Sequence, residues 1–105
     1  MFEINAVSGI GEYTERTVED GGRSYAVPEG KVFAVVRLDG DGEVKTVEMR
    51  SDENLSKVLR EKYESVMESR YFGRGGVEIV LSGQLALDEV YDLVRLSYNL
   101  TKEMG

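Results

Sequence analysis

The chain has 105 residues, of which 20 are Asp or Glu, 13 are Lys or Arg and none is His or Cys, for a formal net charge of -7. Without cysteine there is no disulfide framework, thiolate nucleophile, Cys-ligated zinc or iron–sulfur cluster; without histidine, the usual base near neutral pH and the commonest metal ligand are absent. One domain spanning residues 1–105 is expected, since this length suffices for a single core. The 41% hydrophobic and 31% charged fractions are those of a folding chain rather than a disordered one.

Residues 2–7 admit either a short strand or an irregular lead-in. Residues 12–19, rich in Tyr, Thr and Val with polar alternation, read as an exposed or edge strand. Asp20-Gly21-Gly22 supplies a hairpin turn onto residues 23–27. Pro28-Glu29-Gly30 punctuates the chain before residues 31–38, the most apolar strand and therefore central. Asp39-Gly40-Asp41-Gly42 then closes a hairpin onto residues 43–50, placing Val47 and Met49 on one face and Thr46 and Glu48 on the other.

The period changes at Ser51, read as an N-cap with Asp52 and Glu53 in the first turn. Leu55, Val58, Leu59, Tyr63, Val66 and Met67 form one helical stripe, and Lys57–Glu61 and Arg60–Glu64 stand at i,i+4 spacing on the other side. The segment Tyr71-Phe72-Gly73-Arg74-Gly75-Gly76 reads as a break, residues 77–81 as a strand, and residues 88–104 as a second helix. On that helix Val90, Tyr91, Leu93, Val94, Tyr98, Leu100 and Met104 share the apolar half, with Leu96 outside it. The order of meander, helix, strand, helix predicts an α+β two-layer sandwich: a mainly antiparallel sheet with two helices on one face.

Two motifs fail on inspection. Asp39-Gly40-Asp41-Gly42-Glu43 alternates acids as a calcium loop would, but Val44 stands at the sixth place and Arg50 at the twelfth, so a hairpin accounts for it. Gly9-Ile10-Gly11 lacks the third glycine of a dinucleotide fingerprint, and neither glycine cluster ends in a P-loop Lys and hydroxyl. No Ser-x-x-Lys or Gly-x-Ser-x-Gly occurs, and the Asp52-Glu53 and Asp88-Glu89 pairs sit where a helix dipole explains them. The expectation is no enzyme activity, no cofactor and no metal site.

Arg70, Tyr71, Phe72 and Arg74 bring two cations and two aromatics into one loop, the mixture that stacks on bases and pairs with phosphates. The competing reading has the rings plugging the core and the arginines lying along the surface. Lys57 and Arg60 on the preceding helix add two possible phosphate contacts. Residues 1–30 carry two basic against six acidic side chains and residues 31–105 eleven against fourteen, so the acidic excess sits mainly at the front. An acidic whole repels nucleic acid at long range while leaving residues 57–74 open to a local patch.

The second half resembles the MmcQ/YjbR-like family. The resemblance rests on Lys31-Val32-Phe33-Ala34, on Val47-Glu48-Met49-Arg50-Ser51-Asp52-Glu53-Asn54-Leu55 and on Leu59-Arg60-Glu61-Lys62-Tyr63. It continues through Ser82-Gly83-Gln84-Leu85, Leu87-Asp88-Glu89-Val90 and Leu96-Ser97-Tyr98-Asn99-Leu100, and covers residues 31–105. It implies a double-wing α/β arrangement and an association with DNA binding, and no catalysis. This chain departs from the pattern in lacking a basic segment with His and Trp after Tyr71, and in an acidic, strand-like rather than helical start. The nucleic-acid reading places contacts at Lys57, Arg60, Arg70, Tyr71 and Arg74. The alternative is a protein-interaction module, including a homodimer, that uses an exposed sheet face or the edge formed by residues 12–27. Apolar runs are strand-sized, excluding a membrane span, and the Met1-Phe2-Glu3 start without a signal pattern leads to a cytoplasmic expectation.

Overall fold

A computed structural model describes residues 2–104, the side chain of Asp20 excepted. Six strands, β1 (Thr14–Thr17), β2 (Arg23–Ala26), β3 (Val32–Leu38), β4 (Val44–Arg50), β5 (Val66–Ser69) and β6 (Gly73–Val80), form one sheet. Its order is β1-β2-β3-β4-β6-β5, with every neighbouring pair antiparallel. Helix α1 (Glu53–Lys62) packs against β5 and β6, and α2 (Leu87–Glu103) against β3 and β4. The result is the expected α+β sandwich. No helix among the described residues is long and apolar enough to cross a membrane.

Pleating decides which side chains meet the helices. The cross-strand rows Tyr25–Ala34–Met49–Val77 and Val36–Val47–Ile79–Val66 face them and are all buried. From Tyr25 to Ala26 in β2 the register advances two residues in β3, so Phe33 is the extra residue of a bulge. Phe33 turns into the core, its ring centroid 5.0 Å from that of Tyr98 in an edge-on contact. Ser97 joins the layers: its hydroxyl donates to the Phe33 carbonyl at 2.7 Å and accepts the Arg50 N–H at 2.7 Å. A small hydroxyl here lets α2 approach the sheet closely. Residues 2–7, left open by sequence, hold a 3-10 turn at Ile4–Ala6, and Phe2, Ile4 and Val7 close the end of the core.

Several boundaries differ from expectation for local reasons. Asp52 rather than Ser51 caps α1, its Oδ1 accepting the Leu55 N–H at 2.7 Å, while Ser51 is buried with its hydroxyl on that of Ser56. The α1 stripe stops at Tyr63, because the Ser65 N–H is taken by Gln84 Oε1 at 2.8 Å and Val66 and Met67 enter β5. Val58 and Met104, expected on apolar faces, are exposed. The glycine run read as a break is the first half of β6. Gly76 pairs with Arg50, and a Cβ there would lie 2.5 Å from the Met49 carbonyl and 2.6 Å from Phe72 Cβ, so only glycine admits both neighbours. The Asp39 hairpin is as expected: Asp39 Oδ1 accepts the N–H groups of Asp41 at 2.8 Å and Glu43 at 3.1 Å.

The largest difference is on the sheet face away from the helices. Thr46 and Glu48 lie there as expected, but both are buried, as is Glu78 directly opposite Glu48. Two carboxylates on adjacent strands are compensated separately. Glu48 Oε2 accepts from Arg37 Nε at 2.6 Å, and its Oε1 accepts from the Ser69 hydroxyl at 2.7 Å and the Tyr71 N–H at 2.9 Å. Glu78 receives Arg70 through both oxygens, at 3.0 and 2.7 Å. Burial pushes the Glu48 carboxyl up, but the Tyr71, Ser69 and Arg37 donors outweigh it and hold its pKa below the ordinary 4.5.

Two predictions follow from these contacts. Ser97→Ala strands a buried carbonyl and a partly buried N–H and is expected to cost about 1–3 kcal/mol by urea denaturation. Because Glu48 has a lowered folded-state pKa, its contribution is fully present above the ordinary 4.5 and is lost as pH falls below it. Glu48→Gln leaves Arg37 without its carboxylate and should lower stability at neutral pH by about 3–5 kcal/mol, while flattening the acid limb of the stability profile.

Candidate nucleic-acid interface

Three of the five residues singled out by sequence share one surface depression. Lys57 and Arg60 lie three apart on α1, and Arg74 is the second residue of β6. With Glu53, Asn54 and Glu68 they line a depression of about 310 Å³ between the helix and the β5–β6 hairpin. All three cations are exposed. Arg60 Nε donates to its own helix at the Ser56 carbonyl, 3.3 Å away, and none of the three has an acidic partner within 4.0 Å among the described residues. The expected Lys57–Glu61 and Arg60–Glu64 pairs do not close, and Glu64 lies beyond the end of α1. The cations therefore retain their charge for an external anion, tempered by Glu53 and Glu68 in the same depression.

Arg70 and Tyr71 are placed elsewhere. Arg70 is turned to the opposite sheet face, where its guanidinium neutralises buried Glu78. Tyr71 is half exposed, contrary to a core-plugging role, and its ring meets Phe72 edge-on at 4.8 Å. Phe72 is partly buried, its ring lying under the Arg50 guanidinium at 4.8 Å, with its N–H on the Ser69 hydroxyl at 2.9 Å. The loop is thus a hydrogen-bonded turn rather than a flexible stacking arm. Its two arginines diverge: Arg70 turns to the buried Glu78, and Arg74 lines the depression beside α1.

Sequence reasoning missed Arg50, whose Nε donates to the Val32 carbonyl at 2.9 Å, and the compensated row Arg37, Glu48, Glu78 and Arg70. The available signal was the pair of glutamates in strongly apolar strands, since a charge in such a setting needs a partner. Among the described residues no group of three or more His, Cys, Asp or Glu could hold a metal ion.

The fold has solved counterparts. Protein DR2400 of Deinococcus radiodurans, described with the family-model domain DUF419, superposes with a TM-score of 0.81 at 16% identity, over 96% of this chain and 76% of that one. A structural-genomics target from Pseudomonas syringae gives a TM-score of 0.69 at 15% identity, over 93% of this chain and 94% of that one. No family model matches the sequence, and no curated protein matches it. At these identities the likeness is one of fold: the chain has the architecture seen in a protein described with the domain DUF419.

Proposed function

We propose that this chain is a non-enzymatic binding module of the MmcQ/YjbR-like type, and that the depression between α1 and β6 takes the phosphodiester backbone of a nucleic acid. The observation that carries the reading is the convergence of Lys57, Arg60 and Arg74, each without an acidic partner among the described residues, on one depression. Lys supplies a point charge and the arginines planar forks suited to phosphate oxygens. Tyr71, half exposed at the neighbouring turn, offers a stacking surface. The sequence resemblance, with its association with DNA, supports the same reading. Arg70 is assigned a structural part, through Glu78. The absence of cysteine accords with a cytoplasmic setting.

The net charge of -7 sets the character of the binding: weak, local and strongly dependent on salt. Fluorescence anisotropy with a labelled duplex at low ionic strength should give micromolar affinity. The slope of log K against log salt should be about -2 to -3, the value for three neutralised phosphates. Changing Lys57, Arg60 and Arg74 together to Ala should abolish it, whereas Arg16→Ala on β1 should leave it unchanged. Absence of binding at low salt, or equal binding by the triple variant, would overturn the reading.

A second reading is favoured by β1. Among the described residues it is bonded only to β2, and all four of its residues are exposed, so its outer edge is open to strand addition by a second copy or another protein. Sedimentation equilibrium should then show a concentration-dependent dimer. A monomer mass up to hundreds of micromolar would remove the self-pairing form of this reading.

A further inference from the structure

The sheet face away from the helices carries a second concavity, of about 540 Å³, within the range of small-molecule sites. Its floor includes the cross-strand row Arg37, Thr46 and Val80. Thr46 is 5% exposed, and its hydroxyl has no hydrogen-bond partner among the described residues. A buried hydroxyl left unmatched is uncommon, and here it belongs to a residue that lines a cavity rather than sealed core.

The charges around it are unequally matched. Glu78 is held by Arg70 through both oxygens, and Glu48 beneath is held by Arg37 Nε, Ser69 and Tyr71. Among the described residues Arg37 is engaged only through Nε, which leaves its two terminal nitrogens, and Lys45 on the wall is exposed without an ion-pair partner. A guanidinium edge, an ammonium and an unmatched hydroxyl together suit one oxyanion. Glu19 and Glu68 also line the concavity, so a multiply charged anion meets repulsion that a monoanion largely escapes. Leu38, Met67 and Val80 add apolar surface beside the polar group, with Met67 exposed and unbranched enough to adapt.

We propose that this concavity binds a small organic monocarboxylate, its carboxylate against Arg37, Lys45 and Thr46 and its apolar body against Leu38, Met67 and Val80. The site is separate from the depression holding Lys57, Arg60 and Arg74, although Glu68 borders both, and its existence does not depend on nucleic-acid binding.

The test is a proton–nitrogen correlation titration of the full chain with hexanoate, with hexylammonium and inorganic phosphate as comparison probes. Hexanoate should cause saturable shifts of the Arg37, Thr46, Met67 and Val80 amides, which hexylammonium and phosphate should not reproduce. Thr46→Val keeps the shape of the side chain and should weaken binding by about threefold to tenfold, the worth of one hydrogen bond. Lys45→Ala, an exposed change that leaves the fold intact, should weaken it at least as much. Four results would each overturn the proposal: no saturable shift with hexanoate, the same shifts with hexylammonium, equal or tighter binding of phosphate, or unchanged affinity in both variants.

Discussion

Two glutamates side by side in the middle of a sheet set the terms for this molecule. Glu48 and Glu78 are opposite one another on β4 and β6, 0% and 2% exposed, on the face that no helix covers. Neither can remain ionised in that setting without donors, and neither can share the other's. Each therefore recruits its own arginine, one from β3 and one from the turn after β5. Glu48 also takes a hydroxyl and a backbone N–H from that turn. The consequence is that the turn joining β5 to β6 is tied to β4 through Ser69 and Tyr71, and to β6 through Arg70.

From that tie the surface chemistry follows. With Arg70 on Glu78 and Arg37 on Glu48, neither is a fully free cation. Phe72 is drawn in under Arg50, Tyr71 is left half exposed, and Arg74 emerges on the helix side beside Lys57 and Arg60. On the other sheet face the Thr46 hydroxyl is unmatched among the described residues, and Arg37 and Lys45 line the same concavity. One internal electrostatic requirement thus divides the basic residues between two surfaces, the depression beside α1 and the concavity on the opposite sheet face.

The layer order and most strands were legible because hydrophobic period speaks directly to burial. The alternation over residues 43–50 gave the right faces, and the Asp39 hairpin needed only its turn residues. Errors arose where local pattern and tertiary context disagree. Val66 and Met67 continue the helical spacing of α1, yet Gln84, nineteen residues away from Ser65, bonds the backbone that ends it. The glycines from Gly73 onward signal a break locally, yet Gly76 is required so that Phe72 and the Met49 carbonyl can approach β6. For the site, Lys57, Arg60 and Arg74 could be nominated by charge. Their separation from Arg70 could not, because it depends on which arginine answers which buried carboxylate.

The central claim is that Glu48 is held ionised by the donors that fix the β5–β6 turn. It is tested most directly by following the Glu48 side-chain carboxyl carbon by nuclear magnetic resonance as pH is lowered, with the Tyr71 amide monitored in parallel. The account predicts a Glu48 transition below the ordinary 4.5, with the Tyr71 amide shifting in the same step. Titration of Glu48 at or above 4.5, or a Tyr71 amide indifferent to it, would contradict the account.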